Sequence, residues 1–124
     1  MHTVAKTFLF EAAHYLPGLA EDHPCSRTHG HSYQLTVALT ADTLAGPGFV
    51  LDFRDMAPIK KWVDETLDHQ LLNHQLPTVI PTSENLAEHV GRWVVPSLLE
   101  LPTGVTVASV AVSETAKSSA VWTP

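Results

Sequence analysis

The chain predicts an α+β fold: an antiparallel sheet with two helices on one face, in the order strand, strand, helix, helix, strand, strand. Three observations carry that expectation. Alternating β-branched and aromatic residues occupy both ends of the chain, two stretches of helical spacing lie between them, and Gly and Pro clusters punctuate the joins.

The first strand is residues 3–13, which mix β-branched and aromatic side chains and contain no Pro or Gly. Residues 16–28 hold both and form a loop. Residues 31–40 come close to strict alternation and give the second strand. Gly46-Pro47-Gly48 then marks a turn before the short apolar piece Phe49-Val50-Leu51. Asp52 is placed to cap a helix over residues 54–67, where Met56, Ile59, Val63 and Leu67 keep helical spacing and Pro58 falls in the first turn. Residues 77–81 are a linker. Thr82 or Ser83 opens a second helix with Leu86, Val90, Trp93 and Val94 as its apolar stripe, and Pro96 is expected to end or kink it. After Pro102-Thr103-Gly104, residues 105–112 alternate as a third strand, and Ala120-Val121-Trp122 gives a short fourth.

A length of 124 residues fits one domain, residues 1–124. The composition, 44% hydrophobic and 16% charged, is that of a chain able to bury a core. Seven Lys and Arg against thirteen Asp and Glu give a net charge of −6, which disfavours a general nucleic-acid footprint but leaves room for a few basic groups in a cleft to bind a phosphorylated small substrate. A single cysteine, Cys25, rules out an intrachain disulfide scaffold. The first residues lack a signal-peptide pattern, and no apolar run reaches the length of a membrane span. A cytoplasmic protein without membrane or nucleic-acid partners is the expectation. Eight histidines stand out, and their placement says more than their number.

His29-Gly30-His31 is the first chemical signal. In an extended strand residues two apart share a face, so both imidazoles converge, and the glycine between them admits close backbone approach. The first strand ends in Glu11-Ala12-Ala13-His14. Antiparallel pairing with the second strand brings His14 beside the other two, and three histidines plus an open position define a catalytic zinc site. A polar turn is the plainer account of the pair. Cys25, four residues before His29, is a thiolate base beside Arg27, a fourth ligand closing a structural site, or an inert buried thiol. Leu67-Asp68-His69 offers a carboxylate that orients an imidazole, provided the chain leaves the helix there, because adjacent helical residues do not face each other. Otherwise both are solvated surface groups. Glu114, ending the third strand, is either a solvent-facing terminus or a carboxylate that accepts paired hydrogen bonds from an amidine-like edge.

Taken in order, Phe10-Glu11-Ala12-Ala13-His14, Cys25-Ser26-Arg27-Thr28-His29-Gly30-His31, Asp52-Phe53, Leu67-Asp68-His69, Pro81-Thr82-Ser83-Glu84-Asn85 and Glu114 resemble the 6-pyruvoyl- and 6-carboxy-tetrahydropterin synthase family. Thr28 departs from the apolar residue many members carry. The resemblance implies a tunnelling fold whose barrel-like trimers pair into hexamers with active sites at subunit contacts. It implies Zn2+ on His14, His29 and His31, and 7,8-dihydroneopterin triphosphate as substrate. Cys25 is then the proton-abstracting base, Asp68 and His69 the proton relay, and Glu114 the group that holds the pterin, with Thr82 and Ser83 as further contacts. Arg27 and Lys117 are candidates for the triphosphate. Short length and compact loops look more like the carboxy-forming enzyme of queuosine biosynthesis, with the pyruvoyl-forming enzyme as the alternative. Two readings from other classes are a non-enzymatic zinc-stabilised module, with Cys25 as fourth ligand, and a metallohydrolase using zinc-bound hydroxide.

Overall fold

Pairing of the two long strands sets the whole architecture. In a computed structural model describing residues 1–124, β1 (His2–His14) and β2 (His29–Ala41) run antiparallel from His2 opposite Ala41 to His14 opposite His29. Both strands extend one or two residues beyond their alternating stretches at each end. Cross-strand partners share a face, so Phe8, Phe10, Ala12 and His14 point the same way as Leu35, Tyr33, His31 and His29. That face is the buried one: Tyr33, Leu35, Val37 and Leu39 are at most 1% exposed.

β4 (Thr106–Thr115) pairs antiparallel with β2, and β5 (Ser118–Trp122) with β4. A short strand, β3 (Gln70–Leu71), pairs parallel with Ala12 and Ala13 of β1, giving the sheet order β3-β1-β2-β4-β5. The sheet is thus antiparallel apart from this two-residue edge. Where β4 meets β5, Val112 faces Ala120 and Thr115 faces Ser118, so Ser113 and Glu114 lie against Ser119 alone. Such a bulge bends its strand and re-aims side chains.

Helical segments cover the apolar face. Asp52 caps the first, its carboxylate accepting from Arg54 N–H at 2.9 Å. A 3₁₀ turn, Phe53–Met56, leads into α1 (Ala57–Trp62) and a π turn, Val63–Leu67. Met56, Ile59, Val63 and Leu67 are all buried, as their spacing predicts. A brief α2 (Leu72–Gln75) follows. The second long segment consists of α3 (Ser83–His89), a π turn (Val90–Val94) and α4 (Val95–Leu98). Thr82 is its cap, accepting from Asn85 N–H at 3.1 Å.

One expectation for this segment is corrected and one is narrowed. Trp93 is 65% exposed, and the buried stripe is Leu86, Ala87, Val90, Val94 and Val95. The wide π turn slips the apolar face by about one residue, which carries Trp93 outward. Of the two outcomes expected at Pro96, the helix does not end there but runs on to Leu98, and its regular winding is interrupted by the π turn just before the proline. The same wide turn, closed by Val95 N–H on the Val90 carbonyl, gives the proline ring room where a regular turn would clash. Gly91 in this turn lies under Trp122 of β5; a Cβ there would sit 2.3 Å from the indole ring. The helix and the far sheet edge meet through that gap.

The sheet face away from the helices is mostly polar, with Leu9 and Val121 exposed among the polar side chains. Thr3 bonds Thr40, Thr7 bonds Thr36, and Ser32 donates to Glu11 at 2.7 Å. No helix is long and apolar enough to cross a membrane.

Candidate active site

Strand register alone delivers the three imidazoles to one place. His14 closes β1 opposite His29, and His31 lies one same-face step further along β2. The Gly30 backbone packs against the neighbouring strand, 3.6 Å from the Ala12 carbonyl to where its Cβ would lie. One ring nitrogen from each of His14, His29 and His31 lies within 4.8 Å of the others. The rings stand steeply to one another, at 66° for His14 and His29, 81° for His14 and His31, and 90° for His29 and His31.

Backbone carbonyls decide what those nitrogens carry. His14 Nδ1 lies 2.8 Å from the Pro81 carbonyl and His29 Nδ1 lies 2.7 Å from the Arg27 carbonyl. A carbonyl only accepts, so each Nδ1 bears the hydrogen and each neutral ring presents a lone pair at Nε2. Those two Nε2 atoms face each other at 3.0 Å, and His31 Nε2 is buried with no partner. Two lone pairs at this distance are relieved by a shared proton or by a metal ion, and the unpartnered His31 Nε2 beside them favours the metal. The residues therefore fit a divalent metal that accepts nitrogen ligands, and the two carbonyls act as the outer contacts that fix ring orientation.

His14 is 1% exposed, and burial pushes its imidazole below the usual histidine value of 6.5. The folded chain resists a proton there that the unfolded chain accepts. The metal-free protein is expected to lose stability as pH falls below about 6.5. His89, also lowered by burial, acts in the same direction. Thermal unfolding of metal-free protein between about pH 7 and 5 checks this, and the decline should be shallower in His14→Asn. An equal slope in that variant would remove His14 from the effect.

Glu114 reaches the cluster from β4, its carboxylate oxygens 3.8 Å from His14 Nε2 and 3.6 Å from His31 Nε2. The β4 bulge aims it there. It also lines a cleft of about 540 Å³ with Leu16, Thr82, Ser83, Glu84 and residues 118–121 of β5. Glu114, Thr82 and Ser83 thus come together beside the imidazoles.

Cys25 sits half-buried in a 3₁₀ turn, Pro24–Ser26, in the loop between β1 and β2. Its N–H donates to His23 Nδ1 at 3.1 Å and its carbonyl accepts from Leu16 N–H at 2.8 Å. The mutually close set of donors consists of the three imidazoles and leaves Cys25 out, contrary to a four-ligand site closed by the thiol.

The chain does leave the helix after Leu67. Asp68 is extended and His69 takes a left-handed conformation with φ 59°. That turn brings His69 Nδ1 to 3.0 Å from Asp68 Oδ2. Glu11 holds both through its backbone: its N–H donates to Asp68 Oδ1, and its carbonyl accepts from His69 N–H. The Glu11 N–H holds the Asp68 carboxyl below the usual range, with His69 adding to the effect. This pair does not enter the Glu114 cleft of its own chain. His69, 79% exposed at its side chain, lines a second cleft with Glu11, Ala13 and Ser32, and Ala12 and His31 border the same cleft.

Three parts of the site lay outside the sequence reading. The Pro81 and Arg27 carbonyls are backbone groups, which no residue pattern announces. Asn73 holds the chain just after His14 by two bonds to the Tyr15 backbone. Tyr33, by contrast, continues the alternation His29, His31, Tyr33 and was within reach of it.

A family model described as 6-pyruvoyl tetrahydropterin synthase matches residues 3–124. A 6-carboxy-5,6,7,8-tetrahydropterin synthase of Synechocystis is 38% identical, covering 97% of this chain and 92% of its own. Its namesake in Bacillus subtilis is 32% identical over 96% and 83%. Among solved structures, Caenorhabditis elegans 6-pyruvoyl tetrahydropterin synthase superposes with a TM-score of 0.83 at 24% identity, covering 99% of this chain and 95% of that one. The Plasmodium vivax 6-pyruvoyltetrahydropterin synthase gives a TM-score of 0.71 at 19% identity, over 98% of both chains. The fold is theirs, and with it the chain belongs to the 6-pyruvoyl tetrahydropterin synthase family, as an enzyme of the tetrahydropterin synthase type.

Proposed function

We propose that this chain is a cytoplasmic zinc enzyme, one synthase domain over residues 1–124, that converts 7,8-dihydroneopterin triphosphate and water to 6-carboxy-5,6,7,8-tetrahydropterin, acetaldehyde and triphosphate. Queuosine biosynthesis is the pathway that uses this product. The observation that carries the reading is the converging Nε2 set of His14, His29 and His31 with Glu114 at its rim. Relatives bearing that activity in their names match along nearly the whole chain.

His14, His29 and His31 hold the metal. Bound zinc supplies Lewis acidity toward side-chain oxygens of the substrate, which makes the neighbouring C–H acidic. Cys25 removes that proton as a thiolate. Asp68 fixes the His69 tautomer and His69 returns a proton elsewhere on the substrate. Glu114 accepts two hydrogen bonds from the N–H edge of the pterin, a pairing that rejects rings with the wrong donors. Thr82 and Ser83 border the ring. Arg27 and Lys117 remain the candidate partners of the triphosphate.

A hexamer of paired trimers completes the site. Two facts support it: His69 and Glu114 of one chain line different clefts, and both outer strands of the sheet leave edges unpaired. An edge of that kind is a template for strand pairing with another chain. His69 of one subunit then serves Cys25 of another.

Incubating the zinc-loaded protein with 7,8-dihydroneopterin triphosphate is expected to release acetaldehyde in step with a carboxylated pterin. A pyruvoyl pterin without acetaldehyde would assign the sister activity. Unchanged substrate would overturn the proposal.

A further inference from the structure

We infer that Tyr33 is a positioning residue, whose hydroxyl holds the Glu114 carboxylate in place once the imidazoles have given their lone pairs to the metal. The inference rests on the zinc reading above and extends it to a residue that reading leaves without a task.

Tyr33 is 1% exposed, and its hydroxyl is buried without a hydrogen-bond partner. A buried donor left unmade is costly, and phenylalanine would fill the same space without that cost. The ring cannot swing the hydroxyl to a new partner. It stacks flat on Phe10, with centroids 4.8 Å apart and planes within 3°. The His14 and His31 rings meet it edge-on at 5.9 and 5.5 Å. The phenol therefore stands fixed in the wall of the metal site, on the same sheet face as all three imidazoles.

Glu114 arrives beside it. β2 and β4 pair Leu35 with Val112 and Gln34 with Ser113. The ladder ends there; continued by one residue it would bring Tyr33 opposite Glu114, whose charge acts on the phenol. The carboxylate leans on His14 Nε2 and His31 Nε2 at 3.8 and 3.6 Å. Those contacts attract only while the nitrogens carry hydrogens. His14 already has its hydrogen on Nδ1, against Pro81, and a metal requires the lone pairs of both. Glu114 then keeps the attraction of the ion's charge but has no hydrogen-bond donor from the imidazoles to fix its direction, and it stands on a bulge, where strand pairing holds a side chain less firmly. The Tyr33 hydroxyl is the buried donor on that face with no other use. A bond from it occupies one carboxylate lone pair and leaves the others for the two N–H groups of a pterin.

The test uses full-length protein with zinc, and neopterin as a ligand that lacks the phosphate chain. Tyr33→Phe is expected to bind one zinc per chain, as the parent does, and to bind neopterin about tenfold more weakly by fluorescence titration. KM for the triphosphate substrate should rise with it while kcat changes little. The double variant Tyr33→Phe, Glu114→Gln should lose no more neopterin affinity than Glu114→Gln alone, because the tyrosine acts through the carboxylate. A second readout needs no change at Tyr33. The chain has two tyrosines, so Tyr15→Phe leaves a single Raman tyrosine doublet, expected to move toward the donor state when zinc is added. Normal zinc with unchanged neopterin affinity in Tyr33→Phe, additive losses in the double variant, or a doublet insensitive to zinc would overturn the inference. Parent protein that takes up no zinc would overturn the metal reading first, and metal analysis shows that before any pterin is added.

Discussion

Replacing Cys25 by serine is expected to leave one zinc per chain and to lower kcat by about 10²–10⁴-fold, the usual worth of a positioned proton acceptor. The local structure favours a clean experiment. Both hydrogen bonds that seat the residue, to His23 and from Leu16, use the Cys25 backbone and survive the substitution. The thiol stands outside the mutually close donor set, so the metal keeps its ligands. What changes is the acid: a serine hydroxyl does not ionise near neutral pH, whereas a thiol does. Zinc content by metal analysis and turnover by acetaldehyde release check the two halves separately. Zinc and activity vanishing together would make Cys25 a ligand and the site closed. Full turnover in the variant would point to a hydroxide mechanism that needs no thiol.

His29→Ala is expected to weaken zinc binding by more than about 100-fold, since losing an outer-shell partner alone costs 10–100-fold. Turnover should fall to background while the fold persists. His29 is the ligand to choose for this. It is half-buried, and its other ring nitrogen holds only the Arg27 carbonyl of the adjoining loop. His14, at 1% exposure, is tied into the core as well. A core cluster of 25 buried residues, independent of the metal, carries the fold. Equilibrium zinc titration and the thermal unfolding of metal-free protein make the measurement. Collapse of the metal-free variant, with its parent unfolding on chelation, would instead favour a zinc-stabilised module.

The sequence carried the site further than it carried the fold's details, and the reasons are physical. His14 was legible because an antiparallel hairpin has a fixed side-chain period. Once two strands of matching pattern are assigned, the end of one must meet the start of the other. The stripe of Met56, Ile59, Val63 and Leu67 was legible for the same kind of reason. β3 was not, because two residues cannot display a period, and Gln70 joins the sheet only through the left-handed turn at His69. Regular helical spacing puts Trp93 in the stripe, and neither Val90 nor Gly91 announces the π turn that carries it outward. The Asp68 and His69 pairing was foreseen, but its direction was not. Which way the pair faces depends on the backbone of Glu11 in β1, far away in sequence.

The bond between His14 and the Pro81 carbonyl has a mechanical meaning. Pro81 immediately precedes Thr82, which both caps α3 and borders the cleft. With an ion on Nε2, this imidazole would hold the metal with one nitrogen and the backbone beside the cleft wall with the other. Seating an ion would then also steady the segment that carries Thr82.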